Sequence, residues 1–193
     1  MSLSNYGALK TSVAAWINRT DLDTVIPDFV ALAEQDIRVD CRVQNMEQLA
    51  TGTLTGETLA HPTRFLEARR LVVGTSVYEF VSADLYQDYS TSTRKIFTSI
   101  GQSLYILNGA AGDSYSLIYY AGFAPFDADA DTNWLLENAP DVYLAGACRY
   151  GSAYLKDDAG EQRFATRYVG AVSRLNGQQA RGAVAGPMRI RLA

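Results

Sequence analysis

Apolar side chains recur at helical spacing in the first segment of the chain, behind Ser4, a residue type that commonly caps helices. The spacing predicts an amphipathic helix over residues 5–17, whose apolar face requires a packing partner. This face comprises Tyr6, Leu9, Val13, Trp16 and Ile17.

A second helical stripe follows the polar residues 18–21. Because Pro27 is tolerated only near the start of a helix, the regular helix is expected to begin close to it and to run to about Arg42. Glu34 and Arg38 stand four residues apart and are expected to pair on the solvent side. The apolar face comprises Leu22, Ile26, Phe29, Ala33 and Ile37. The two helices are expected to form a hairpin.

From Met46 onward the period changes, and Thr, Val, Tyr and Phe stand between glycine-containing turns. This pattern predicts short antiparallel strands. Residues 82–89 are the exception and read as a short helix or a loop. The expected strand regions are 47–60 with a turn at Thr55-Gly56, then 64–73, 76–81, 94–99, 103–107 and 115–121.

Helical spacing returns near Asn133, with a short helix that Pro140 ends or redirects. Residues 140–156 are apolar almost all round and rich in small residues, so this helix is expected at the centre of the helical core. Residues 159–176 are expected to pack beside it. Their stripe comprises Phe164, Tyr168, Val172 and Leu175, with Arg163, Arg167 and Arg174 facing outward.

These patterns predict an α+β protein. Residues 1–44 and 126–176 are expected to form a helical bundle of about four main helices, and residues 45–125 an antiparallel β insert. Residues 177–193 are expected to form an extended C-terminal tail.

The end of this tail alternates apolar and charged side chains. A terminal strand keeps such a pattern when it adds to an exposed sheet edge or groove, so residues 187–193 are expected either to dock on a neighbouring subunit or ring, or to fray. The candidate partner-binding residues are Met188, Arg189, Ile190, Arg191 and Leu192.

The chain has 193 residues, 48% of them hydrophobic, and a formal net charge of −4. This balance disfavours a protein that grips nucleic acid through many phosphates, although an acidic channel through which DNA slides is compatible with it. Cys41 and Cys148 lack CxxC spacing and are expected to be buried thiols of an intracellular protein. No signal pattern or run of about 18 apolar residues occurs, so a soluble protein without a membrane span is expected.

Few residues of the sequence are candidates for catalysis or metal binding. His61 has no HxxxH partner or nearby cysteine, so a surface-loop histidine is favoured over catalysis or metal binding. Asp127, Asp129 and Asp131 imitate the start of a calcium loop, but Thr132 and Asn138 occupy the positions of its glycine and glutamate. Acidic residues before a helix are the simpler interpretation. No metal or cofactor is therefore expected.

Nucleotide-binding and hydrolase motifs such as GxxxxGK[ST], GxGxxG and GxSxG are absent. A carboxylate pair for a glycosidase stays open, because its partners can come from anywhere in a fold. The candidate acids are Glu137, Asp141, Asp157 and Asp158. Several tyrosines concentrate in the β segment. The simpler interpretation is that tyrosine favours strands, and the second is that these side chains belong to a subunit interface. They are Tyr86, Tyr89, Tyr115, Tyr119 and Tyr120.

The chain resembles the ring-forming head-to-tail adaptors of tailed bacteriophages over most of residues 3–175. The resemblance rests on the opening LSNYGALKTSVAAWINRTDLDTVIPDFVALAEQDIRVDCRV and on the later TNWLLENAPDVYLAGACRYGSAYLKDD. The segments LATGTLTGETLAHPTRFLEARRL and SLYILNGAAGDSYSLIYYAGF stand in the place of the family's β insert.

This resemblance implies a non-catalytic virion protein, made in the host cytoplasm, at the neck of the particle. It implies a homo-oligomeric ring, usually of twelve copies in that family, with the portal protein above and a tail, stopper or nozzle protein below. Double-stranded DNA would pass through the ring without specific binding. The family's C-terminal extensions commonly reach the portal, a role that residues 177–193 would fill here.

Three alternatives remain at this stage. Another virion component, such as a tail-completion or baseplate subunit, would share this composition. A cell-wall glycosidase would use acids among those named above. A DNA-binding accessory protein is opposed by the acidic balance of the chain.

Overall fold

The computed structural model describes the backbone of residues 3–184 and the side chains of residues 3–177. It shows an α+β protein, as predicted. The chain divides into two compact units. The helical unit comprises the described residues up to Gln44 and from Phe123 onward, and the β unit is Asn45–Gly122.

The helical unit contains five helices within the described residues. Helix α5 has a central place, because it packs against each of the other four. This agrees with the nearly all-round apolar character of its sequence. The helices are α1 (Tyr6–Trp16), α2 (Ile26–Asp40), α4 (Trp134–Asn138), α5 (Pro140–Tyr154) and α6 (Asp158–Val184), while α3 (Ala83–Asp88) belongs to the β unit.

Capping residues fix where several of these helices begin. Asn5, and not the predicted Ser4, caps α1, because its side-chain oxygen accepts a hydrogen bond from the backbone nitrogen of Ala8 at 2.9 Å. Pro27 stands in the first turn of α2, where the sequence placed it. Asn133 caps α4 through the backbone nitrogen of Leu136 at 3.0 Å.

Two side chains of the first two helices lie elsewhere than expected. Helical spacing predicts Trp16 on the buried face of α1, but 48% of its surface is exposed. Glu34 was expected on the solvent side of α2, but it is half-buried, and its Oε1 is buried without a hydrogen-bond partner among the described residues. Spacing along a single helix does not reveal how far a neighbouring helix extends over its edges, so both positions were misjudged.

The predicted stripe of α6 is buried, with Phe164, Tyr168, Val172 and Leu175 facing inward. The helix does not end at residue 176, as expected, but continues to Val184, so residues 177–184 are helical and not extended. Residues 187–193, including the candidate partner-binding residues, lie outside the described part of the chain.

Helices α2, α5 and α6 are joined by polar contacts as well as by apolar packing. The Asp36 carboxylate accepts hydrogen bonds from the Arg149 guanidinium and, at 2.8 Å, from the Tyr150 hydroxyl. The Tyr168 hydroxyl donates to Asp40 at 3.0 Å. Gly146 of α5 lies so close to α2 that an added Cβ would stand 2.9 Å from the Cβ of Ala33. A small residue is therefore required at this crossing.

The β unit forms a seven-stranded sheet in the order β1-β7-β3-β4-β5-β6-β2. Most neighbours are antiparallel, as expected, but β4 and β5 are parallel. Helix α3 lies between these two strands in sequence and returns the chain in the same direction. The strands are β1 (Glu47–Thr53), β2 (Thr58–Ala60), β3 (Phe65–Val73), β4 (Ser76–Phe80), β5 (Ile96–Ile100), β6 (Ser103–Ile106) and β7 (Ser114–Ala121).

The turn at residues 54–57 does not pair the strands on either side of it. Strands β1 and β2 form opposite edges of the sheet, where β1 pairs with β7 and β2 with β6. One face of the sheet covers a cluster of aliphatic and aromatic side chains. Its fully buried members are Leu71, Phe97, Leu104, Ile106 and Leu117.

Candidate interaction surface

A groove opens on the surface of the helical unit where α1, α5 and α6 meet. Its volume is about 380 Å³. Leu144 and Ala145 of α5 contribute apolar wall, and the half-exposed ring of Trp16 forms one side. We call it the tryptophan groove; it is lined by Trp16, Asp141, Leu144, Ala145, Thr166, Arg167, Gly170 and Arg174.

Arginine and aromatic side chains stack on one another at this groove and beside it. The Trp16 ring lies against Phe164 with 6.1 Å between ring centroids. The guanidinium of Arg167 lies 5.2 Å from the centroid of Trp16, and that of Arg163 lies 5.1 Å from the centroid of Phe164. Both arginines are exposed and make no ion pair with the described residues. The groove thus presents the positive charge of Arg167 beside the exposed ring of Trp16.

The spacing of α6 gathers these charges on one stripe. Arg163, Arg167, Gly170 and Arg174 follow one another at intervals of four, three and four residues, which places them on the same helix face. Arg174 is paired with Asp141 of α5. A Cβ on Gly170 would meet no atom within 4 Å, so the middle of the stripe is open for close approach.

A second groove lies along the other side of α1 and has a volume of about 600 Å³. Its wall includes Asp23 and Asp129, with Lys10 held by Asp129 at 2.6 Å. We call it the aspartate groove; it is lined by Gly7, Lys10, Thr11, Ala14, Ala15, Thr20, Asp23, Ile26 and Asp129. Asp23 makes no ion pair with the described residues, so this groove is acidic on balance.

Helix geometry explains why the two grooves lie on different flanks. Gly7 lines the aspartate groove and Trp16 the tryptophan groove. These residues are nine positions apart, and at about 100° per residue that separation is a half turn around the helix axis. The helical unit therefore presents an aromatic, basic flank and an acidic flank on opposite sides of α1.

The calcium-like acids serve to shape a loop. The Asp131 carboxylate accepts hydrogen bonds at 2.7 Å from the backbone nitrogens of Ala128 and Asp127. Both bonds lower the pKa of Asp131, and the bond from Ala128 has the larger effect. The backbone oxygen of Asp129 accepts a hydrogen bond from Gly7 at 2.9 Å. The Asp131 carboxylate thus holds the loop, and Asp129 holds its contact with α1 through its backbone oxygen and its pairing with Lys10. Within the described residues, no group of three or more acidic, histidine or cysteine side chains is arranged to hold a metal ion.

His61 follows β2 and is half-buried, not a free surface side chain. Its ring stacks on Phe65 with 4.0 Å between centroids, and its Nε2 lies 3.1 Å from the Ser99 hydroxyl. Burial lowers the pKa of its imidazole. These contacts assign His61 a packing role in the β unit.

Three of the four candidate glycosidase acids make a polar contact within the chain. Asp141 pairs with Arg174 and lines the tryptophan groove, and Asp157 accepts a hydrogen bond from the backbone nitrogen of Gly160 at 3.0 Å, at the start of α6. Glu137 accepts one from the Thr132 hydroxyl at 3.3 Å. Glu137, Asp157 and Asp158 do not line either of the two grooves described above.

Both cysteines are buried and unpaired, as expected from their sequence context. Burial raises the pKa of the Cys41 thiol to about 11 and that of Cys148 to about 12. Three of the five tyrosines singled out in the β segment, Tyr86, Tyr119 and Tyr120, are also buried. In the described part of the chain, every helix is too short or too polar to cross a membrane.

Comparison with known proteins identifies the family. Residues 4–191 match the family described as SU10 adaptor protein. The chain belongs to this family, and its predicted membership of a head-to-tail adaptor family of phages is confirmed. No curated protein gives a significant match to the chain.

Proposed function

We propose that this phage adaptor acts as a non-catalytic ring of about twelve copies beneath the portal of the filled capsid. The ring extends the DNA channel and presents the surface to which the tail attaches. The portal protein lies above it, a tail, stopper or nozzle protein lies below, and double-stranded DNA passes through without specific binding. The family match over residues 4–191 is the observation that carries this proposal.

The charge of the chain supports a passage that does not retain DNA. The net charge is −4, so a strong general attraction to phosphates is not expected. The arginines of α6 form a local stripe on a single helix face. A stripe of this size suits a protein contact better than a DNA-binding surface.

The architecture also suits a rigid building block. We propose that α1, α2, α5 and α6 together make the four-helix core predicted from the sequence, since each of α1, α2 and α6 packs on α5. The polar contacts of Asp36 and Asp40 fix α2 against α5 and α6. A subunit of a large assembly benefits from such fixed geometry, because each contact must recur identically around the ring.

Imaging of assembled particles tests the proposal. Particles carrying a C-terminal epitope on this chain are expected to show a ring of density between portal and tail that the epitope antibody labels. A position elsewhere in the tail, or a copy number unlike that of a neck ring, would assign the chain to the tail-completion or baseplate components. A turnover of cell-wall polymer that is lost in Asp141→Asn would reveal an enzyme.

The C-terminal segment remains a candidate docking element. We propose that residues 187–193, with Met188, Ile190 and Leu192 alternating with Arg189 and Arg191, engage a neighbouring subunit or the portal. Deletion of these residues is expected to reduce incorporation of the protein into particles. A matched variant replaces the five residues 188–192 by Gly and Ser at unchanged length. It removes the side-chain contacts without shortening the segment. Normal incorporation of both variants would contradict the docking role.

A further inference from the structure

The two flanks of α1 are complementary in charge. Arg167 lines the tryptophan groove and Arg163 stands one turn before it on the same face of α6, and neither makes an ion pair with the described residues. The aspartate groove carries Asp23 and Asp129, of which Asp129 is already paired with Lys10. Each flank therefore holds charge that its own chain leaves uncompensated.

The tryptophan groove also has the composition of an interface centre. Tryptophan and arginine are the residue types that most often dominate binding energy, especially where they stand next to an apolar depression. Trp16 is 48% exposed although it ends a helix whose other large apolar side chains are buried. Exposed Gly170 adds a place where a partner backbone can come close.

We propose that the tryptophan groove of one copy docks on the aspartate groove of the next copy. The inference rests on the proposed ring function and identifies the surfaces that join its subunits. Because the two grooves are different surfaces of the chain, the contact is heterologous, and each added copy leaves one groove of each kind free until the ring closes. A symmetric contact of two tryptophan grooves would instead bring arginines together.

Charge reversal on each side provides the test. The acidified variant combines Arg163→Glu with Arg167→Glu, so that both of its flanks are acidic. The basified variant combines Thr20→Lys with Asp23→Lys, both in the aspartate groove, so that both of its flanks are basic. Each variant alone is expected to self-associate at least about tenfold more weakly than the unchanged chain, because like charges face each other.

The mixture of the two variants tests directly whether the two grooves bind each other. Each flank of the acidified variant meets an opposite charge on the basified variant, so the equimolar mixture is expected to recover association in sedimentation experiments at low salt. A control partner combines Asp84→Lys with Gln87→Lys on α3, which adds the same charge outside both grooves. This control keeps both original grooves and is expected to self-associate as the unchanged chain does, which shows that added positive charge alone does not weaken association.

Failure of the inference and failure of the proposed function give different results. If the unchanged chain occupies the neck of particles but the variant mixture associates no better than either variant alone, the surfaces are wrongly assigned and the ring function stands. If the chain is absent from the neck, the ring function fails, and the sedimentation result still decides whether the two grooves bind each other. Salt-sensitive binding of duplex DNA that the acidified variant loses would assign the arginine stripe to DNA and overturn the inference.

Discussion

The helical unit and the β unit are held together in different ways. The β unit has a cluster of aliphatic and aromatic side chains against one face of its sheet, with Phe97 and Leu104 fully buried. The helical unit adds close contacts of small residues, such as Gly146 against Ala33, and carboxylate contacts between helices. The stability of the β unit should therefore depend most on side-chain volume that is removed from its core. The stability of the helical unit should depend most on volume added between helices and on buried charge.

The largest effect is expected from a cavity in the β unit. Phe97→Ala removes a ring that is 1% exposed, and it is expected to cost about 3–5 kcal/mol of unfolding free energy. Denaturant unfolding measures this cost. Phe80→Ala is the control, because Phe80 contacts Phe97 at 5.4 Å between centroids but is 55% exposed. Equal costs for the two variants would contradict the packing role assigned to Phe97.

Added volume is the corresponding test in the helical unit. Gly146→Ala is expected to cost about 1–3 kcal/mol, because the new methyl group would overlap Ala33 and push α2 from α5. The matched control, Gly170→Ala, places the same methyl group where no atom lies within 4 Å. It should stabilise α6 by up to about 1 kcal/mol through helix propensity. Thermal unfolding of both variants compares the two effects, and a loss of stability in the control alone would contradict the contact at α2.

Charge burial gives the helical unit a dependence on pH. Burial raises the pKa of Glu34 to about 7, with Arg38 opposing the rise and Asp127 adding to it. Since the folded chain holds this proton more tightly than the unfolded chain, the stabilisation is complete below about pH 4.5 and is lost as the pH rises through 7. We expect a loss of about 1–2 kcal/mol between pH 5 and 8, reduced by the partial solvent contact of this side chain.

Glu34→Gln tests this dependence. The uncharged amide should remove most of the loss of stability between pH 5 and 8. The variant should therefore be more stable than the unchanged chain at pH 8 but not at pH 5. Chemical denaturation at the two pH values measures the difference. Glu137→Gln, at an exposed glutamate of α4, should change stability by less than about 0.5 kcal/mol at either pH. An unchanged pH profile in Glu34→Gln would show that another group is responsible.

The smallest expected effect lies at the end of α5. Lys156 follows the helix with a φ of 59°, a left-handed conformation that glycine adopts without steric cost. Lys156→Gly is expected to stabilise the chain by about 0.5–1 kcal/mol, visible as a rise in melting temperature of a few degrees. Asn18→Gly, at a similar φ of 53° after α1, should gain less, because asparagine tolerates this conformation. The reverse order of the two gains would contradict this explanation.

Much of this fold was predictable from local patterns. The strands, α3 and the helical stripes follow from period, turn residues and caps that act over a few positions, as at Pro27 and Gly101. The parallel pairing of β4 with β5 was not predictable, because it depends on which strands meet after the crossover through α3. The same is true of the separation of β1 from β2, which the turn between them suggested as neighbours.

The candidate site was predictable only in part. The outward stripe of Arg163, Arg167 and Arg174 was visible from helical spacing, but the groove beside it was not. Trp16 was placed in the buried face because it continues the stripe of α1; its position as the last residue of that helix was the available signal that neighbours do not cover it.

By itself, the sequence determined the α+β class, the order of most elements and the membership of a phage adaptor family, because these depend on patterns within continuous segments. Only the tertiary structure decided that Trp16 is half-exposed, that Glu34 is half-buried and that opposite charges flank α1. Those features depend on how helices distant in sequence cover one another, and burial and charge environment arise only from that packing.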